Sequence, residues 1–243
     1  MNVWHALPVG ERLWRILCPG RCLLCHRVVT PHRLFCRTCQ ASLPEKPVSR
    51  EMLLPRDPQG QLWGEDGRLW VLAPFPYRQG LADTLHRLKF QQETSLALPL
   101  GWVMAETAGT FLRPFHGVTY VPMSPEKRRR RGYNQSQLLA KSLAKELHLP
   151  CWDLLEQVRE TATQHELSRA ERADNVRGAY RARPAARGKD LLLVDDIVTT
   201  GATLRACALA LYEAGARQVC GLCAAGTDWE PGREEEEIPQ GEP

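Results

Sequence analysis

The sequence has no uninterrupted apolar stretch near the roughly 18 residues that a membrane-spanning helix needs, so membrane insertion is not expected. It also lacks a basic start followed by an apolar block. In MNVWHALPVGERLWRILC the residues Glu11, Arg12 and Arg15 interrupt the hydrophobic positions, which reads as a cytoplasmic start. No internal repeat is present. Neither the G-x4-G-K-[ST] of a P-loop nor the G-x-G-x-x-G of a dinucleotide site occurs. The chain is not short of apolar residues: 43% hydrophobic and 25% charged residues exclude a disordered polymer as the default. Its 243 residues can hold one or two domains and a sizeable core.

Nine cysteines without a secretory segment point to metal binding and buried thiols, because a reducing compartment does not keep a disulfide framework. The net charge of +4 is small but unevenly spread. Lys127 to Arg131 is an unbroken run of cations, and Glu234 to Glu237 a run of anions that reads as a solvated tail.

Cysteines cluster between Cys18 and Cys39, which marks a module over residues 1–43. Pro44, Pro47, Pro55 and Pro58 then oppose regular structure, so residues 44–67 read as a linker. Residues 68–228 carry an α/β pattern, and 229–243 form the acidic tail. Strands are expected at Leu69 to Ala73, Val118 to Val121, around Ala179, Leu191 to Val194 and Val219 to Ala224. Helices are expected at Leu81 to Phe90, Leu96 to Leu112, Gln135 to Leu147 and along Leu204, Ala208 and Leu211, stopping at Gly215. The final strand, helix and strand form a βαβ unit, which implies a parallel sheet. The polar, arginine-rich stretch from Glu156 to Lys189 reads as a long functional excursion.

Cys22 and Cys25 form one C-x2-C pair, and Cys36 and Cys39 another. Two such turns supply four soft thiolates for a tetrahedral zinc, and a closed set of this kind is structural rather than catalytic. Cys18, His26 and His32 compete for a ligand position. A third C-x2-C, Cys220 and Cys223, falls on an expected strand. Residues three apart there point to opposite faces, so this pair is expected in the core.

The stretch LLLVDDIVTTGAT, from Leu191 to Thr203, ends an apolar strand in paired carboxylates and a threonine-glycine loop. In an open parallel sheet, ligands bind beyond the carboxyl ends of the strands. A loop entering a helix there offers unpaired N–H groups and the positive end of a dipole to a phosphate. Carboxylates beside such a cradle need hydroxyls or a cation to contact, and a ribose or magnesium would supply them.

VDDIVTTGAT resembles the phosphoribosyl-pyrophosphate (PRPP) motif of the type I phosphoribosyltransferases. The resemblance implies that Asp195 and Asp196 meet the ribose hydroxyls, and that Thr199, Thr200, Gly201, Ala202 and Thr203 wrap the 5′-phosphate. With RRRRGYNQSQLLAKSLA (Arg128 to Ala144), TATQHELSRAERADNVRGAY (Thr161 to Tyr180) and the cysteine pairs, the chain resembles the ComF/GntX family. That family joins a zinc ribbon to a phosphoribosyltransferase-like domain and is linked to DNA uptake and utilization. By the same resemblance Val121, Pro122, Met123 and Ser124 occupy the pyrophosphate loop, with Arg130 and Arg131 as nearby cations. Gln164, Arg169, Arg172 and Asn175 would be polar contacts of a mobile loop, in which His165 is either solvent-facing or catalytic.

Two functional readings remain open at this point. One is transfer of phosphoribosyl from magnesium-bound PRPP with release of pyrophosphate, although no segment identifies a general base or an acceptor. The other is a non-catalytic nucleic-acid-binding protein that uses its zinc ribbon and basic run on single-stranded DNA, with PRPP as ligand or regulator. Other DNA-uptake proteins are expected partners in either case.

Overall fold

A computed structural model describes residues 20–30, 33–111, 113–159 and 178–227. Its elements in chain order begin with α1 (Arg37–Ala41), β1 (Val48–Leu53), β2 (Arg68–Ala73), β3 (Phe75–Pro76) and α2 (Gln79–Phe90). They continue with α3 (Ala97–Ala108), β4 (Gly117–Tyr120), α4 (Pro125–Arg131), α5 (Gln135–Leu147) and β5 (Leu155–Gln157). The last are β6 (Tyr180–Ala182), β7 (Asp190–Val198), α6 (Ala202–Glu213) and β8 (Gln218–Gly226).

The main sheet runs β1-β2-β8-β7-β4, with β3 continuing along β8. β2, β8, β7 and β4 pair in parallel, and β1 closes one edge antiparallel to β2. The α/β class with a largely parallel sheet is therefore as expected. β7 is apolar at successive positions because both of its faces are covered. Leu192 and Val194 pack in one core with Leu139 and Leu143 of α5, and Leu191 and Leu193 pack in the other with Leu204, Ala208 and Leu211 of α6. Cys220 and Cys223 go to opposite cores, as the strand period requires. Each fully buried large side chain contributes about 1.5–3 kcal/mol, which is ample to hold these layers together.

The stretch 44–67, expected as a linker, contains an edge strand of the main sheet. Val48 lies opposite Ala73 and Leu53 opposite Arg68, and Met52 is buried. Pro47 and Pro55 bound this strand instead of preventing it, since an edge tolerates proline at its ends.

The basic run also folds, as α4. Ser124 caps it by accepting the Lys127 N–H, Pro125 opens it, the arginines fill its last turn, and Gly132 ends it in the left-handed region at φ 86°. The helix expected from Leu96 to Leu112 stops at Ala108.

The cysteine module is built into the larger core. Leu23, Val29, Leu34 and Phe35 are buried in the cluster that holds α2 and α3, and Phe35 meets Phe75 edge to face at 5.7 Å. Gly80, at the start of α2, lies so close that a Cβ there would come within 2.1 Å of the Leu24 carbonyl oxygen. Thr84 of the same helix donates its hydroxyl to the Leu23 carbonyl. Among the described residues no helix is long and apolar enough to cross a membrane.

Candidate functional site

β7 carries its buried register through the acid pair before the chain turns. Asp195 Oδ1 accepts from the Ser136 hydroxyl at 2.7 Å and from the Asp196 N–H at 2.9 Å. Burial first, and the neighbouring Asp196 second, push the Asp195 carboxyl up to about 7, against the pull of those two hydrogen bonds. Asp196 Oδ2 instead meets Lys89 Nζ at 2.6 Å. Burial disfavours the Lys89 ammonium, but the negative charge of Asp196 beside it outweighs this and holds its pKa above the ordinary lysine value. The acid pair is thus split into a strained member and a compensated one. Lys89 was not legible as a site residue: it is a lone lysine near the end of α2, like many surface lysines.

Beyond Val198 the loop turns into α6 through Gly201, at φ 77°. A side chain there would be strained and would also collide with Met52 of β1, whose sulfur would lie 2.1 Å from the Cβ. Thr200 Oγ1 accepts the Ala202 N–H at 3.3 Å. Gly201 provides no side-chain cap, so the first-turn N–H groups of α6 have no partner within the helix itself. The buried Arg50 of β1 donates to the Thr199 carbonyl and holds the loop from behind, as does Thr227 Oγ1 at 3.4 Å. A helix N-terminus of this kind is suited to an anion.

The acid pair and the cradle line a cleft of about 640 Å³. Every residue expected at the PRPP motif and the pyrophosphate loop lines it: Asp195 and Asp196, Thr199 to Thr203, Val121 to Ser124, and Arg130 and Arg131. Gln164, Arg169, Arg172 and Asn175, together with His165, lie outside the described residues.

Helix geometry divides the cations. Lys127, Arg130 and Arg131, at i, i+3 and i+4, line the cleft, whereas Arg128 and Arg129 are exposed and do not. Arg131 stacks its guanidinium 4.8 Å from the centroid of the Phe90 ring and donates to Gln135 Oε1 at 2.6 Å.

The segment after α4 fastens this wall to the rest of the molecule. Tyr133 donates its hydroxyl to the Leu88 carbonyl. Asn134 caps α5 by accepting the Ser136 and Gln137 N–H groups, and donates to the Val121 carbonyl at 2.9 Å. Ser136 then reaches Asp195.

In the cysteine module, the sulfurs of Cys22, Cys25, Cys36 and Cys39 all lie within 4.8 Å of one another. A tetrahedral ion with Zn–S bonds of about 2.3 Å separates its sulfurs by roughly 3.8 Å, so the cluster could bind a metal such as zinc. The sequence left His26 as a competitor. Its Nδ1 accepts from Arg87 Nη1 at 2.6 Å, which commits the ring to α2, and it is not in the cluster. Cys18 and His32 lie outside the described residues.

The sheet order, the acid pair and the helix-terminal cradle define a phosphoribosyltransferase-like domain, and the model of the phosphoribosyl transferase domain family matches residues 134–236. DNA utilization protein YhgH of Escherichia coli (strain K12) is 31% identical over 215 residues, covering 86% of this chain and 91% of that protein. Competence protein ComFC of Streptococcus pneumoniae is 31% identical over 65% of this chain and 70% of its own length. For competence protein F of Haemophilus influenzae the identity is also 31%, over 61% of this chain and 70% of that protein. The chain belongs to the family of these proteins, the ComF/GntX family of phosphoribosyltransferase-like proteins.

Proposed function

We propose that the protein binds PRPP in this cleft and acts in the uptake or utilization of DNA, the role carried by the names of its relatives. The observation that supports this most directly is the convergence of the Asp195–Asp196 pair, the α6 cradle and the Val121 to Ser124 loop on one cleft. The ribose hydroxyls would donate to the carboxylates, the 5′-phosphate would take the N–H groups and threonine hydroxyls at the start of α6, and the diphosphate would lie toward Arg130 and Arg131. The donor set around the acid pair is made of hard oxygens, which suits magnesium carried in on a diphosphate rather than held in a protein cage. When bound, that ion would neutralise charge on the leaving diphosphate. The module's four thiolates would hold zinc as a structural ion.

Calorimetry with PRPP and Mg²⁺ tests the reading. The intact protein is expected to bind, and Asp195→Asn with Asp196→Asn to abolish binding; an intact protein that does not bind sinks it. Pyrophosphate release across a panel of bases and amines then separates transfer from binding alone.

A second reading, contact with single-stranded DNA, is favoured by one feature. Arg128 and Arg129 are exposed and do not line the cleft, while Phe90, 59% exposed, lies on the cleft wall beside Arg131. Cations with a neighbouring aromatic ring suit a phosphate backbone and its bases.

A further inference from the structure

Asp196 is not an open carboxylate. Lys89 Nζ sits 2.6 Å from its Oδ2, with the two side chains 21% and 6% exposed. Lys89 comes from the last turn of α2 and Asp196 from the end of β7, so tertiary packing alone makes the pair.

Paired carboxylates beside a phosphate cradle pose an electrostatic conflict. A phosphate entering the cleft meets like charge where water screens it poorly. A divalent cation arriving with the ligand is one way to relieve this. In this cleft an ammonium already lies on one carboxylate, and its surroundings keep it charged. Of the other cations that line the cleft, Lys127 and Arg130 are exposed on α4 and Arg131 is turned onto the Phe90 ring and Gln135. The charge on the acid pair is therefore met by Lys89.

We propose that Lys89 is a resident counter-cation of the cleft, through which the protein takes up a sugar monophosphate without a divalent metal. This rests on the ribose-phosphate reading above and extends it to a ligand class. A diphosphate brings its own magnesium, but a pentose 5-phosphate has no diphosphate to carry one. With Lys89 compensating Asp196, the ribose hydroxyls can reach the acid pair and the phosphate can reach α6 without a second ion.

The test is calorimetry of the full chain with ribose 5-phosphate. It is run in buffer freed of divalent cations over chelating resin before the protein is added, so that any metal on the cysteines stays in place, and again with millimolar Mg²⁺. The wild type is expected to bind with affinities that agree within about twofold in the two buffers. Lys89→Met should weaken binding at least about tenfold in metal-free buffer, equivalent to about 1.4 kcal/mol, with Mg²⁺ restoring part of the loss. Lys89→Arg, which keeps the cation, should keep metal-free binding, whereas a purely structural role for the aliphatic stem would leave Lys89→Met binding like wild type. Thermal unfolding establishes that each variant is folded; if Lys89→Met is not, the wild-type metal dependence and Lys89→Arg decide. Wild-type binding of ribose 5-phosphate only with Mg²⁺ overturns the proposal, as does Lys89→Met binding like wild type without metal. If PRPP with Mg²⁺ binds but ribose 5-phosphate requires metal or fails to bind, the counter-cation idea falls and the ribose-phosphate reading stands. If neither ligand binds in any buffer, both fall.

Discussion

Ser136 donates its hydroxyl to Asp195 Oδ1 at 2.7 Å, joining segments 59 residues apart in the sequence. The bond explains why a serine stands in the first turn of α5: it supports a carboxylate that burial disfavours as an anion. Ser136→Ala should raise the Asp195 pKa further and weaken PRPP binding. It should cost stability of about 1–2 kcal/mol from a buried acceptor left short of a donor, read as a lower urea midpoint with an unchanged slope.

Asp195 itself predicts a pH dependence. Its folded pKa, about 7, lies above the ordinary aspartate value, so the folded state holds this proton more tightly than the unfolded chain does. The resulting stabilisation is fully present below the unfolded pKa, near pH 4, and is lost as pH rises through about 7. Asp190, held low by its hydrogen bond to Arg217, acts in the opposite direction, losing its contribution as pH falls. The difference in Tm between wild type and Asp195→Asn isolates the first group. The wild type should lose several degrees relative to the variant between about pH 4 and 8, at roughly 2–4 °C per kcal/mol. A flat difference would mean that Asp195 titrates as an ordinary aspartate.

The split of the basic helix predicts separable losses. Arg130→Ala with Arg131→Ala should weaken PRPP binding, since both side chains line the cleft. Arg128→Ala with Arg129→Ala should leave PRPP binding intact. If single-stranded DNA binds this face, removing the outer pair should flatten the salt dependence of its affinity, by about 0.7 in the log–log slope for each phosphate no longer neutralised. Fluorescence anisotropy over a salt series measures it.

The cysteine cluster predicts one zinc per chain by elemental analysis, falling close to zero in Cys36→Ser. Because Leu23, Leu34 and Phe35 sit in the shared core, metal loss should lower the Tm of the whole protein instead of unravelling an independent appendage. Apparent zinc energies of about 10–16 kcal/mol in small modules make the effect large.

Gly80→Ala should loosen the same junction while leaving the thiols intact. The added methyl meets the Leu24 backbone oxygen, which cannot rotate away, and overpacking of this kind costs about 1–3 kcal/mol. A lower Tm at unchanged zinc content is the expected result.

The elements read correctly from sequence were those whose pattern is local. Leu139 and Leu143 repeat along one face of α5, and that helix spans Gln135–Leu147, the range its period implies. The buried run Leu191 to Val194 and the opposed Cys220 and Cys223 follow from the strand period in the same way. β1 was missed because its prolines look like breakers unless it is known to lie at an edge. α4 was missed because five cations carry no hydrophobic period, although Ser124, Pro125 and Gly132 carried the capping signals that mark its two ends.

Local sequence is enough to specify the threonine-glycine loop ahead of α6 and the four-thiol cluster. Each is written within a few neighbouring residues, and the chemistry of a glycine at positive φ or of two C-x2-C turns needs no distant partner to be recognised. Which charges face the cleft follows from packing. Only the packing of α2 against the end of β7 sets Lys89 on Asp196, and only the turn of α4 points three of five cations inward. Electrostatic energies depend on separation and burial in space, and neither quantity can be read from positions more than 100 residues apart along the chain.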